Sequence, residues 1–210
     1  MNNYIENLEW RYATKKFDTA KELSEKELDF LKDAMQLSAS SYGLQPYEIL
    51  VIKNQDIRKK LQEAAWNQSQ LTEASHVIVI ANKTNFGDEL VDTYINNVSD
   101  VRNTDKENLK GYADFMKTTL SGFTTEEKAA WTAKQTYIVL GNLLSAAAAH
   151  KIDACPMEGF DAEKFNDILG LNKHNLNASV IATVGFRDAQ DVTQHNIKVR
   201  KPKTELFKTL

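Results

Sequence analysis

Four short polar segments of this 210-residue chain carry residue types suited to holding a charged or aromatic ligand. Arg11-Tyr12-Ala13-Thr14-Lys15-Lys16-Phe17 crowds three cations into one stretch. Ser38-Ala39-Ser40-Ser41-Tyr42-Gly43-Leu44-Gln45-Pro46-Tyr47 sets hydroxyls, a glycine and Gln-Pro between two regular patterns. Hydroxyls and free backbone N–H groups at a helix edge suit a phosphate or a polar ring system. Cys155-Pro156-Met157-Glu158-Gly159-Phe160 reads as a turn whose glycine, lacking Cβ, lets the backbone approach a flat ligand closely. Lys198-Val199-Arg200-Lys201-Pro202 adds a basic segment near the C-terminus. Each segment also has a plain reading: a solvated helix end complementing the helix dipole, a helix-to-strand loop, a Pro/Gly turn, and surface charge. Taken singly, the plain readings are at least as good. The combination is what argues for a site.

Other chemistries are not supported. The eight glycines form neither G-x-G-x-x-G nor a P-loop. His76, His150, His174 and His195 have no metal-like spacing to one another or to Cys155, so no metal site is expected. There is no G-x-S-x-G elbow. Cys155 has no histidine near it in sequence and reads as a small, partly buried thiol rather than a nucleophile. A net charge of −3, without basic tracts interleaved with aromatics, gives no reason to expect nucleic acid. The longest wholly apolar run, Val77 to Ala81, is far too short for a bilayer. Met1 is followed by Asn, Asn and Tyr rather than a basic and then apolar stretch, so no secretory leader is expected. A lone cysteine fits a reducing cytoplasm. At 210 residues with 42% hydrophobic content, one domain over 1–210 is the default.

The elements that must position these segments are legible by period and caps. Ile5, Leu8 and Tyr12 fall on one side of a short first helix. Ser24 and Glu27 make a capping box, with Leu28, Leu31 and Met35 as the apolar stripe behind it. Tyr47 to Ile52 predicts a strand, and Ile57, Leu61 and Ala64 a helix after it. Val77 to Ala81, rich in β-branched residues, predicts a buried strand. Asp88 to about Leu120 is a charged, helix-forming region with the look of an insertion or lid. Thr124 and Glu127 open the longest helix, to about His150, whose mixed apolar and small surface predicts burial on more than one side. Asp161 caps a short helix that Gly170 ends, and Ser179 to Val184 is a last strand. The three prolines fall outside these elements, each closing a polar segment. The expected fold is α+β, a small central sheet surrounded by helices.

Read in order, Arg11-x-x-x-Lys15, the serine loop ending in Gln45-Pro46, Trp131-x-x-Lys134-Gln135, Pro156-Met157-Glu158-Gly159-Phe160-Asp161 and Lys198-x-Arg200 resemble the nitroreductase family of FMN-dependent oxidoreductases. The likeness spans nearly the whole chain and is greatest to the oxygen-insensitive NAD(P)H nitroreductase and dihydropteridine reductase branch. It implies a mainly antiparallel sheet, an intertwined homodimer and FMN in a cleft at the subunit interface. It assigns the FMN phosphate to Arg11, Lys198 and Arg200, a sensible set because a dianion favours convergent cations. Lys15 would sit near the pyrimidine end of the flavin, and Asn67 would bond its polar edge. Ser38, Ala39, Ser40, Ser41 and Gln45 would lie on a loop brought by the partner, and Tyr12 and Ala13 would adjoin Arg11. Pro156, Met157, Glu158 and Gly159 would line one flavin face, with the Glu158 backbone N–H directed at N5. Tyr42, Tyr112 and Phe123 would lie on the acceptor side.

The implied activity is ping-pong hydride transfer from NADH or NADPH through FMN to a small electrophilic acceptor such as a nitroaromatic or quinone. The alternative within the same fold is a protein that stores FMN or senses its redox state with little turnover. Three departures from the family pattern stand out. Tyr12-Ala13 replaces a His-Ser pair common in this branch, and Gln70 stands where relatives often carry a second lysine near the flavin. The segment from Tyr112 to Trp131 is longer than in the nearest members of the branch.

Overall fold

The computed structural model describes residues 3–210. Met1 and Asn2, on which part of the leader expectation rests, lie outside the described residues. Four strands, β1 (Tyr47–Ile52), β2 (His76–Lys83), β3 (Asp153–Met157) and β4 (Leu176–Gly185), form an antiparallel sheet in the order β1-β2-β4-β3. At a spacing near 4.8 Å, the edge strands β1 and β3 lie about 14 Å apart across the sheet. The helices in chain order are α1 (Asn3–Trp10), α2 (Glu25–Gln36), α3 (Gln55–Glu63), α4 (Gln70–Glu73), α5 (Glu89–Arg102), α6 (Lys110–Ser121), α7 (Thr125–Ala149), α8 (Ala162–Leu169) and α9 (Lys203–Leu206). Among the described residues no helix is long and apolar enough to cross a membrane.

The continuous apolar run of β2 serves two cores at once. Val77, Val79 and Ala81 enter one with Leu61 of α3, Leu71 of α4 and Phe165 of α8. Ile78 and Ile80 enter the other with Leu31 and Met35 of α2 and Leu143 of α7. A strand covered on both faces has no polar face to keep. Strand β4 does the same across a bulge. Leu176 and Ala178 face the first core, whereas Val180, Ala182 and Val184 face the second. The register shifts opposite Ile80/Ala81, and the extra residue, Ser179, reverses the phase. Its hydroxyl meets Thr136 Oγ1 of α7 at 3.0 Å.

Local signals set most boundaries. Both capping boxes form: Ser24 with Glu27, and Thr124 with Glu127, where Thr124 N–H donates to Glu127 Oε2 at 2.8 Å. Asp161 accepts from Lys164 N–H, and Gly170 closes α8 at φ 70°. The charged region after β2 is two helices, α5 and α6, sharing a third core of Val91, Ile95, Met116 and Leu120 with Leu44 and Phe86. Helix α7 packs on the sheet, α1 and α2, yet leaves Tyr137 and Ile138 exposed on its outer side.

Three expectations need correction. Cys155 to Met157 is not a turn but the body of β3, so Pro156 lies inside an element. An edge strand tolerates proline when the missing N–H faces outward. Ala154, two residues earlier and of the same parity, receives Thr14 N–H on that outer side. Tyr12 is not on the first helix, which ends at Trp10; the chain then extends so that Ala13 bridges Ala154. Cys155 is fully buried rather than partly so.

Candidate functional site

The outer edge of β3 gathers residues from both ends of the chain. Arg11 leaves α1 as the backbone turns along β3, and the C-terminal segment after β4 returns beside it. Between them lies a cavity of about 370 Å³ bordered by Arg11, Tyr12, Ala13, Lys198 and Arg200. Lys198 Nζ donates to the Arg11 carbonyl. The cations work against one another. Arg11 is held below the usual guanidinium value by burial and then by Arg200. Lys198 is lowered by burial, Arg11 and Arg200, and Glu9 is the acid that offsets this. Such a cluster is complementary to a compact anion of more than one charge.

Further along the same edge, Lys15 Nζ lies 3.8 Å from Cys155 Sγ. Burial pushes the Cys155 thiol up, and Lys15, the Gln70 side chain and Arg11 oppose that shift. Gln70 itself is buried at the start of α4. Lys15, Gln70 and Cys155 thus form one polar cluster.

Past β3 the chain forms a rim. Glu158 follows the last ladder pair, Met157–Ile181, and its Oε1 accepts from the Tyr137 hydroxyl at 2.6 Å. That hydrogen bond, then burial, pushes Tyr137 up to about 12. Gln68 Nε2 donates to the Gly159 carbonyl at 2.7 Å. A Cβ at Gly159 would lie 3.2 Å from the Trp66 ring, so this glycine permits a close approach. Trp66 and Asn67 are consecutive left-handed residues, at φ 51° and 59°, which turn the Trp66 ring out while Asn67 N–H bonds the Gln62 carbonyl.

The serine loop is elsewhere. Asn142 of α7 donates to Ser38 Oγ at 2.9 Å, and Ser41 N–H donates to Gln135 Oε1 at 2.8 Å. Gln45 N–H donates to Ser40 Oγ, and Gln45 Nε2 to the Gln36 carbonyl. Tyr42, Gly43 and Gln45 all have positive φ. Tyr42 meets Phe115 edge-on, Phe123 packs against Trp131, and Tyr112 is exposed on α6. The loop leads into β1, the opposite edge of the sheet from β3. Within one chain, therefore, Arg11, Tyr12, Ala13, Lys15, Gln70, Lys198 and Arg200 come together, and Pro156 follows Cys155 along β3. Ser38, Ala39, Ser40, Ser41, Gln45, Tyr42 and Phe123 form a separate group at the serine-loop side, with Tyr112 exposed on α6.

The family model described as the nitroreductase family matches residues 8–186. The chain belongs to the nitroreductase family. A relative from Aliivibrio fischeri, the major NAD(P)H-flavin oxidoreductase, is 32% identical over 87% of this chain and 86% of its own length. Solved structures share the fold. A nitroreductase-fold protein from Exiguobacterium sibiricum, determined in complex with FMN, superposes at a TM-score of 0.86 with 18% identity, covering 100% of this chain and 98% of that one. The enone reductase CLA-ER of gut-bacterial fatty acid saturation superposes at 0.83 with 21% identity, covering 100% and 99%.

Sequence reasoning missed several residues that the structure places around this candidate site. Trp66 and Gln68 flank the predicted Asn67, but only the paired left-handed turn shows where they point. Tyr137 lies on the outer side of α7, and nothing in its period marks a bond to Glu158. Arg187, bonded to Asp153 Oδ1 at 2.7 Å, stacks on Trp10 and Tyr12 and so braces Arg11 from both sides. Asp191 announces itself in sequence only as Asp-x-Thr, a turn signal.

Proposed function

We propose that residues 1–210 act as one FMN-binding domain of an NAD(P)H-dependent flavin oxidoreductase, assembled as a homodimer. The observation that carries this reading is the three-cation pocket of Arg11, Lys198 and Arg200, built from opposite ends of the chain and short of balancing acids. It fits the phosphate of FMN. The neighbouring Lys15–Gln70 cluster supplies donors for a polar ring edge, and Gly159 supplies a close backbone approach for a flat ring.

Arg11 and Arg200 present planar forks that suit paired phosphate oxygens, while Lys198 adds a point charge. Lys15 and Gln70 hold the pyrimidine end, and the Lys15 ammonium stabilises negative charge that accumulates there. Pro156, Met157 and Gly159 support one face. The Glu158 N–H, beyond the last ladder pair, is assigned to flavin N5. Asn67 takes the polar edge. The chemistry supplied by bound FMN is hydride exchange at N5, between NADH or NADPH and an electrophilic acceptor in ping-pong order. Ser38, Ala39, Ser40, Ser41 and Gln45 belong to the site of the second copy, since they sit at the far edge of their own sheet. Tyr42, Tyr112 and Phe123 then border the acceptor, a nitroaromatic, quinone or enone.

The homodimer reading draws support from apolar surface that one chain leaves uncovered: Tyr137 and Ile138 on α7, and Ile197, Val199 and Phe207 on the C-terminal segment. Obligate interfaces of this kind bury on the order of 2,000–5,000 Å². The lone cysteine favours a cytoplasmic setting. Anaerobic titration of the purified protein tests the activity. A yellow protein bleached by NADH or NADPH and recoloured by nitroaromatics or quinones is expected. A yellow protein that neither nucleotide bleaches is a flavin store, and a colourless one that takes up no FMN ends the reading.

A further inference from the structure

We infer that Asp191 is a positioning residue for the FMN-phosphate clamp, a single buried carboxylate that locks the two cation-bearing ends of the chain to each other. The inference rests on the FMN reading above. Asp191 is only 3% exposed and opens the turn Val192–His195. Its two oxygens divide their partners by chain end. Oδ2 accepts from the Tyr12 hydroxyl at 3.0 Å, Lys15 N–H at 2.8 Å and Lys16 N–H at 3.1 Å. Oδ1 accepts from Thr193 N–H at 3.0 Å and from the Thr193 hydroxyl. The first set fixes the backbone that carries Arg11 and Lys15; the second fixes the start of the segment that carries Lys198 and Arg200.

Asp191 does not itself border the cavity, although Tyr12 and Thr193 do. It therefore acts through them. Something must hold these segments together, because the three cations repel one another until an anion arrives. Further ties across the same seam include the Lys198–Arg11 contact, Lys16 paired with Asp188 and Gln190, backbone bonds from Asp188 N–H to the Lys16 carbonyl and from Asp18 N–H to the Phe186 carbonyl, and Arg187 stacked on Trp10 and Tyr12; Asp191 differs from these in that one side chain bonds both segments. Only a carboxylate suits the Asp191 position. It offers lone pairs on both oxygens and no hydrogen, whereas an amide would turn an N–H₂ toward one set of donors.

The test compares FMN with riboflavin, which lacks the phosphate, by flavin-fluorescence quenching on the apoprotein. Wild type, Asp191→Asn, Tyr12→Phe, Thr193→Val and the Tyr12→Phe/Thr193→Val double variant are measured. In Asp191→Asn the FMN Kd should rise by roughly tenfold or more, as expected for misplacing a charged hydrogen bond, and riboflavin Kd by less than about threefold. Tyr12→Phe and Thr193→Val should each move the FMN-to-riboflavin ratio the same way by a few-fold. Equal losses for both flavins, or no loss for either, would overturn the positioning role. Should Asp191→Asn fail to fold, the ratio in the double variant decides on the same terms. Wild-type protein that binds no FMN would overturn the flavin reading itself, and this inference with it.

Discussion

The edge of the sheet at β3 and the loop entering β1 hold their polar groups in opposite ways. At β3, the cations Arg11, Lys15, Lys198 and Arg200 come from the two ends of the chain, and buried carboxylates tie the ends down: Asp191 on Tyr12, Lys15 and Thr193, and Asp153 on Arg187. At β1, the serine loop is held by its own neighbours. Ser38 bonds the Ala34 carbonyl, Gln45 the Gln36 carbonyl, and α7 contributes Gln135 and Asn142. Three residues of that loop lie in the left-handed region, two of them not glycine, a conformation that costs on the order of 1 kcal/mol or more each. One region is charged and joins the two ends of the chain; the other is neutral, shaped by short-range bonds and by two side chains of α7. They lie on opposite edges of one sheet, and in the homodimer proposed above a second copy would bring its loop to the first copy's cations.

Subunit complementation puts the largest effect on that comparison. A β3-edge variant, Arg11→Ala/Arg200→Ala, and a serine-loop variant, Ser40→Ala/Ser41→Ala with Gln45→Ala, should each lose most FMN as homodimers. Two-fold symmetry then dictates that mixed dimers carry one site with both halves intact and one with both halves broken. Co-expressed and tandem-purified heterodimers should regain FMN in about half of their sites. Sedimentation of wild type as a stable, FMN-loaded monomer at micromolar concentration would break the comparison outright.

Acid unfolding probes the long-range ties. Burial works to raise the Asp191 carboxyl, but hydrogen bonds from Thr193, Lys15 and Lys16 outweigh it and hold it down at about 2. Because that lies below the unfolded value near 3.9, the stabilisation is complete above about pH 5 and is lost as pH falls through about 2. It amounts to roughly 2–3 kcal/mol. Denaturant midpoints for wild type should therefore fall more steeply between about pH 5 and pH 2 than those of Asp191→Asn. Parallel curves would show that the carboxylate holds nothing together.

Arg200→Ala, or truncation from Ile197 onward, should weaken FMN retention by roughly 1.5–3 kcal/mol, one to two decades, while the melting temperature of the apoprotein moves little. Full retention by the truncated chain would remove Lys198 and Arg200 from the clamp. The smallest expected effect is at Gln70, buried beside Lys15 and Cys155. Gln70→Lys adds a cation where Lys15 is the nearby positive charge, and a net ~1 kcal/mol in favour of reduced flavin raises a two-electron potential by roughly 20 mV. Spectroelectrochemistry showing no rise would mean that Gln70 faces away from the flavin.

What could be read from the sequence was whatever a few adjacent residues decide. The Ser24/Glu27 and Thr124/Glu127 boxes, the Asp161 cap, the Gly170 stop and the apolar run of β2 are local statements of hydrogen bonding and burial, and the helices and strands begin and end on them. The order of the four polar segments likewise pointed to the family. Beyond that, tertiary structure decided. Pro156 and Gly159 look like turn residues, yet β3 runs through the proline because an edge strand leaves that nitrogen facing away from its partner. Tyr12 fits the helical stripe, yet the chain leaves α1 at Trp10 to pair Ala13 with Ala154, a bond that no local pattern encodes. The phase of β4 reverses at Ser179 because two faces must both be filled, which becomes visible only with both cores in place. Asp191 gathers donors from residues more than 170 positions away, pairings that no local pattern encodes.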